Sequence, residues 1–103
     1  MQVTLMSIPV GGEIGVEMHS GVDQLLRIEQ GCATVMIGKS KNSLHQRNKV
    51  NKNYAIIIPS GTWHNVVNTG NVPLKIYSIY APPQHPFGTV HKTKKDSDRA
   101  ENH

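Results

Sequence analysis

The chain has 103 residues, a formal net charge of +4 and one cysteine, which bounds it to one domain able to build a core without disulfides. No apolar run approaches the ~20 residues of a membrane span, and no basic flank, apolar region and small-residue cleavage site open the chain, so a cytoplasmic protein with no membrane partner is expected. Cys32 alone supports neither a disulfide framework nor a cysteine zinc site, and the basic residues lack the interleaved aromatics of a single-strand-binding surface, so no nucleic-acid partner is expected.

Taken in order, Gln2 to Ile8 alternates apolar and polar and reads as a strand. Pro9-Val10-Gly11-Gly12 turns the chain, and Ile14 to His19 alternates again. Ser20-Gly21-Val22 leads into a strand at Asp23 to Glu29, and Gln30-Gly31 reads as a tight hairpin turn into a strand at Cys32 to Ile37. Gly38 to Asn53 differs in composition: it holds five Lys and Arg and no acidic residue. A loop or weak hairpin is expected there, with a short strand near Leu44 to Arg47. The apolar run Tyr54 to Ile58 is a buried strand, Pro59-Ser60-Gly61 a turn, and Thr62 to Asn68 the next strand. Thr69-Gly70-Asn71 turns into a long strand from Val72 to Tyr80, which Ala81-Pro82-Pro83 stops. Residues 81–91 form a polar post-barrel segment in this reading, and 92–103 a flexible, unstructured tail. No stretch shows a helical period, so short strands between close turns predict an all-β sandwich or barrel.

The chemistry-bearing residues cluster in this pattern. Glu17 and His19 are two apart and project from one face of an extended segment. Gln24 follows across a turn, and His64 opens the strand after the Pro59–Gly61 turn. Two imidazoles, a carboxylate and an amide oxygen suit a divalent transition metal: Fe, Mn, Ni, Zn or Cu. Trp63, on the opposite face from His64, reads as packing between sheets or at a dimer interface, Cys32 as a buried apolar residue, Tyr77 and Tyr80 as core aromatics or else as lining of the barrel or its rim, and Asn68 as a structural strand-end residue.

Two spaced motifs make the chain resemble a small single-domain bacterial cupin. The family's first motif is Gly, five residues, His-x-His, three or four residues, Glu, six residues, Gly; here Gly11, Glu17-Met18-His19, Gln24 and Gly31 keep that spacing. The second is Gly, five residues, Pro-x-Gly, two residues, His, three residues, Asn; here Asn53, Pro59-Ser60-Gly61, His64 and Asn68 keep it. The resemblance covers about residues 3–80 of a domain spanning 1–91, and implies a double-stranded β-helix, the jelly-roll cupin barrel. The tail from Tyr80 also resembles that of a subgroup often labelled mannose-6-phosphate isomerase-like. Three motif positions depart from the family: Glu17 stands for its first His, Gln24 for its Glu and Asn53 for a Gly.

Carried over position by position, the resemblance implies metal ligands at Glu17, His19, Gln24 and His64, with Glu17 able to act as a base if it is not a firm ligand. Subgroup members often have one more strand before the position of Met1. Its absence would leave either a shorter sheet or an exposed edge, and the need to cover such an edge favours a homodimer. The expected function is a metal-binding cupin acting on a small molecule, as an isomerase or dioxygenase. The alternatives are a non-catalytic ligand- or metal-binding module and a vestigial structural barrel. His85 and His91 are further candidates, as proton donors folded over the barrel mouth.

Overall fold

Alternation decides which side of each strand is buried, and the result is an all-β, two-layer structure. The computed structural model describes residues 2–82 and 91–94. Its strands are β1 (Gln2–Ile8), β2 (Asp23–Gln30), β3 (Cys32–Gly38), β4 (Gln46–Asn51), β5 (Tyr54–Ile58), β6 (Trp63–Asn68), β7 (Leu74–Ala81) and β8 (His91–Lys94). They form an antiparallel five-stranded sheet, β1-β7-β2-β5-β8, facing a three-stranded sheet, β4-β3-β6. This is the expected double-stranded β-helix. No helix among the described residues is long and apolar enough to cross a membrane.

The core lies between the layers. Leu26, Ile28, Ile56, Ile58, Leu74 and Ile76 come from the large sheet, and Ala33, Val35, Ile37, Val50 and Val66 from the small one. Burying each branched side chain contributes about 1.5–3 kcal/mol, so this shared interior, rather than any local propensity, sets the register.

Several expectations are corrected. Gly31 is a corner between layers and not a hairpin turn: β2 pairs with β5 and β7, whereas β3 pairs with β4 and β6. It has φ of 93°, and a Cβ there would sit 3.2 Å from the Pro73 carbonyl oxygen, so glycine is needed. The strand expected at Ile14–His19 is reduced to two isolated bridges, Glu13 to Val67 and Glu17 to His64. Gly15, with φ of 106°, breaks the extended run between them. The hairpin strand falls at Gln46–Asn51 instead of Leu44–Arg47, because Val50 is the residue that reaches the core. β7 starts at Leu74 rather than Val72, since Pro73 has no N–H to give the ladder. Cys32 is exposed, not buried, at the outward-facing start of β3.

At the far edge, Lys92–Lys94, assigned from sequence to the tail, continue β8 and pair with β5 from Tyr54↔Lys94 to Ile57↔His91. His85 and the rest of the tail lie outside the described residues.

Asn53 explains one departure from the motif. It is the one non-glycine described residue with positive φ, at 80°, and Asn tolerates this region better than other side chains. Asn53→Gly is expected to leave stability nearly unchanged, whereas Asn53→Val should cost about 1–2 kcal/mol, read from urea unfolding midpoints. Equal losses for the two variants would show that the side chain, and not the backbone angle, is what the position selects.

Candidate metal centre

The site is built on a backbone exchange. Glu17 N–H donates to the His64 carbonyl and His64 N–H donates to the Glu17 carbonyl, each at 2.9 Å, so these two residues are directly opposite one another. The segment carrying Glu17 is held on β6 by further contacts. Ile14 N–H donates to the Val66 carbonyl at 2.9 Å. The Asn65 amide donates to Glu13 Oε1 at 2.7 Å and accepts from Gly15 N–H at 2.9 Å. Gly61 N–H donates to the His19 carbonyl at 2.8 Å, fixing the other end. Sequence reading missed the Asn65–Glu13 pair. The two residues are 52 apart, and Asn65 lies on the strand face opposite His64, where local pattern gives no signal.

This scaffold brings Glu17, His19 and His64 together, with one ligand atom from each within 4.8 Å of the others. His19 Nε2 is 3.2 Å and His64 Nε2 3.5 Å from the same atom, Glu17 Oε1. The surroundings are asymmetric: the His64 side chain is 1% exposed, those of His19 and Glu17 29% and 36%. Solvent therefore reaches the centre from the Glu17–His19 side while His64 forms its wall.

The protonation of His64 is the informative feature. Its Nδ1 lies 3.1 Å from the Thr62 carbonyl oxygen, which can only accept, so Nδ1 carries the proton. Nε2 then presents a lone pair, buried and without a hydrogen-bond donor, towards a carboxylate oxygen. Reversing the tautomer would only move the conflict to Thr62. A second proton would satisfy both ends, but burial pushes the His64 pKa below its ordinary value, against the opposing pull of the Thr62 carbonyl and the Glu17 charge. A buried ring nitrogen that disfavours a proton, facing a carboxylate oxygen, is the arrangement a cation satisfies. The residues present therefore fit a divalent metal, with two nitrogens and a carboxylate oxygen as donors.

Gln24 reaches this region from the other layer, rather than across a turn from Glu17. Its Nε2 donates to Ser78 Oγ at 2.7 Å and to Tyr80 Oη at 3.2 Å. The Tyr80 ring in turn stands edge-on to His19, with centroids 5.2 Å apart. Gln24 is 2% exposed and its Oε1 has no partner among the described residues. Tyr80 thus belongs to the site's surroundings, whereas Tyr77 faces outward and is 38% exposed. Ser78 was not anticipated, although its alternation with Tyr80 along β7 places both on the inner face.

Comparison with known proteins bears on the fold and family. Residues 4–80 match the family model of the cupin domain. The Bacillus subtilis protein named "Uncharacterized protein YrkC" is 62% identical over 100 residues, covering 97% of this chain and 54% of its own length. An uncharacterized protein of Acanthamoeba polyphaga mimivirus is 40% identical over 90 residues, covering 86% of this chain and 54% of its own length. The chain thus spans about half the length of these curated relatives. Among solved structures, a Bacillus halodurans protein superposes with a TM-score of 0.76 at 60% identity, covering 96% of this chain and 74% of that one. A Thermotoga maritima protein described as a predicted oxalate decarboxylase gives 0.69 at 20% identity, over 78% of this chain and 64% of that one; at that identity the likeness is one of fold.

Proposed function

Because the chain belongs to the cupin domain family, we propose that it is a metal-binding cupin that acts on a small organic molecule. Glu17, His19 and His64 hold a divalent transition metal, and the Gln24 amide oxygen is the fourth donor. The observation that carries this reading is the buried, unpartnered Nε2 of His64 facing the Glu17 carboxylate. The unpartnered Oε1 of Gln24 extends it to the fourth position.

A bound metal would supply the Lewis acidity that polarises a carbonyl oxygen, or a redox centre for dioxygen, which fits isomerase or dioxygenase chemistry. The chain's own residues have separable parts in it. His64, locked by Thr62, is a fixed wall. Glu17 is partly exposed and, where it is not a firm ligand, is placed to take a proton from a molecule arriving from solvent. Gln24 carries no charge, so Glu17 is the only carboxylate among the four donors and the centre keeps a single negative charge. The test is metal analysis of protein purified without a metal-affinity tag, before and after reconstitution. Near-stoichiometric metal is expected. No metal after reconstitution would refute the reading and leave a non-catalytic or vestigial barrel.

We also propose a homodimer, in a reducing compartment that keeps the exposed Cys32 a thiol. Among the described residues β1 pairs with β7 alone, and its outer face shows Val3 at 58% and Leu5 at 59% exposure. A second copy of such an edge is its own antiparallel complement. Light scattering should give about twice the 11.4 kDa chain mass, and Leu5→Asp should give the monomer. A monomeric wild type at micromolar concentration overturns this.

A further inference from the structure

The basic stretch between β3 and β4 is not absorbed by the metal centre. It borders a solvent-open pocket of about 410 Å³, lined by Ile37, Lys39, Ser43, His45, Gln46 and Thr62, a volume within the range of small-molecule sites. The loop around it is tightly built. Ser43 N–H closes a turn on the Ser40 carbonyl at 3.0 Å, and the Ser43 carbonyl packs so closely on Gly38 that it leaves no room for a side chain there.

Register places this cavity beside the metal centre. Gln46 pairs with Ile37, Ile37 with His64, and His64 with Glu17, so the four form one row across the small sheet. With neighbouring strands about 4.8 Å apart, the two lie within roughly 10 Å. Thr62 joins them: it lines the cavity, and its carbonyl holds the His64 ring.

The lining is mostly apolar surface, and its polar part is one-sided. Its residues offer an ammonium, hydroxyls, an amide and an imidazole, and none is acidic. Thr62 is 2% exposed, yet its Oγ1 has no hydrogen-bond partner among the described residues. A buried hydroxyl without a partner is costly; Oγ1 has almost no surface on the cavity as it stands, and a turn of the Thr62 side chain about χ1 would present it to a ligand acceptor there.

We propose that this cavity recognises the oxyanion of a small ligand, a carboxylate or a phosphate ester. The anionic group sits against Lys39 and Thr62, and the remainder extends along Ile37 towards Glu17 and His64. The reactive end of this assignment rests on the metal-centre reading; the anion site does not need it.

The test is calorimetric titration of the full chain, metal-loaded and metal-free, with succinate, inorganic phosphate and neutral succinamide. At least one anion is expected to bind saturably in both forms, and about tenfold or more tighter than succinamide. Lys39→Met and Thr62→Val should each weaken it about tenfold at unchanged metal content, and Thr62→Ser should retain it. Thr62→Val should also keep or raise Tm, since it removes an unpartnered polar atom. Whichever anion binds more tightly distinguishes carboxylate from phosphate. Failure of both anions to saturate, or full affinity in Lys39→Met, overturns the proposal even if metal binds stoichiometrically. Lys39-dependent anion binding to a protein that takes up no metal would uphold it while refuting the metal centre.

Discussion

His64→Ala is expected to abolish metal retention through dialysis, and His19→Ala to weaken it while leaving a measurable affinity. Both remove a nitrogen donor, but the two imidazoles differ in what holds them. His64 is buried and oriented by Thr62, so its donor atom is in place before any metal arrives. His19 is partly exposed and positioned by Glu17 and the edge of Tyr80, so water can take its place. Loss of an outer-shell partner typically lowers metal affinity about 10–100-fold, and loss of the preorganised ligand should exceed that. Gln24→Glu should act in the opposite direction, because it adds a second carboxylate to the donor set. Competition titration against a chromophoric chelator measures all three. Equal affinities for wild type and His64→Ala would remove His64 from the donor set.

Asn68→Asp is expected to cost about 3 kcal/mol or more in unfolding free energy, a large fraction of the stability of a domain this size. The Asn68 Nδ2 donates to the Ile8 carbonyl at 3.0 Å and to the Val72 carbonyl at 2.9 Å, and its Oδ1 accepts from Gly70 N–H at 3.0 Å. One side chain thereby ties the end of β1, the turn after β6 and the approach to β7. The aspartate keeps the shape and the acceptor but loses both donors, leaving a buried carboxylate against two carbonyl oxygens. Each stranded buried group costs about 1–3 kcal/mol. Denaturant unfolding gives the value; a loss under ~1 kcal/mol would mean that these carbonyls find other donors. The expectation of a strand-end structural residue thus acquires its physical content from three bonds within the fold.

What could be read from the chain was whatever depends on spacing. Glu17 and His19 lie two apart, and His64 follows a fixed turn; the donors at all three do converge. Alternation revealed the strands wherever one face is buried, as in β3 and β7. It failed where a glycine breaks the run, as at Gly15, and where a turn signal marks a corner between layers, as at Gly31. Contacts between distant side chains left no local trace. The Asn65–Glu13 clamp and the Ser78 and Tyr80 bonds to Gln24 span about 50 residues each. The empty donor position on Thr62 needs three dimensions to be seen at all.

The connections between layers bear on how the chain reaches this state. β2 and β3 lie in different sheets, as do β4 and β5, and β6 and β7. Neither sheet is contiguous in sequence. β7 is the strand that joins β1 to β2, and it is made after both of them. A chain emerging from the ribosome therefore carries β1 and one edge of β2 without their pairing strand until Leu74–Ala81 has been synthesised. Folding that depends on such distant pairings is slow, and intermediates with open strand edges are prone to association. The route to the barrel, more than the finished barrel, is where this protein is vulnerable to aggregation.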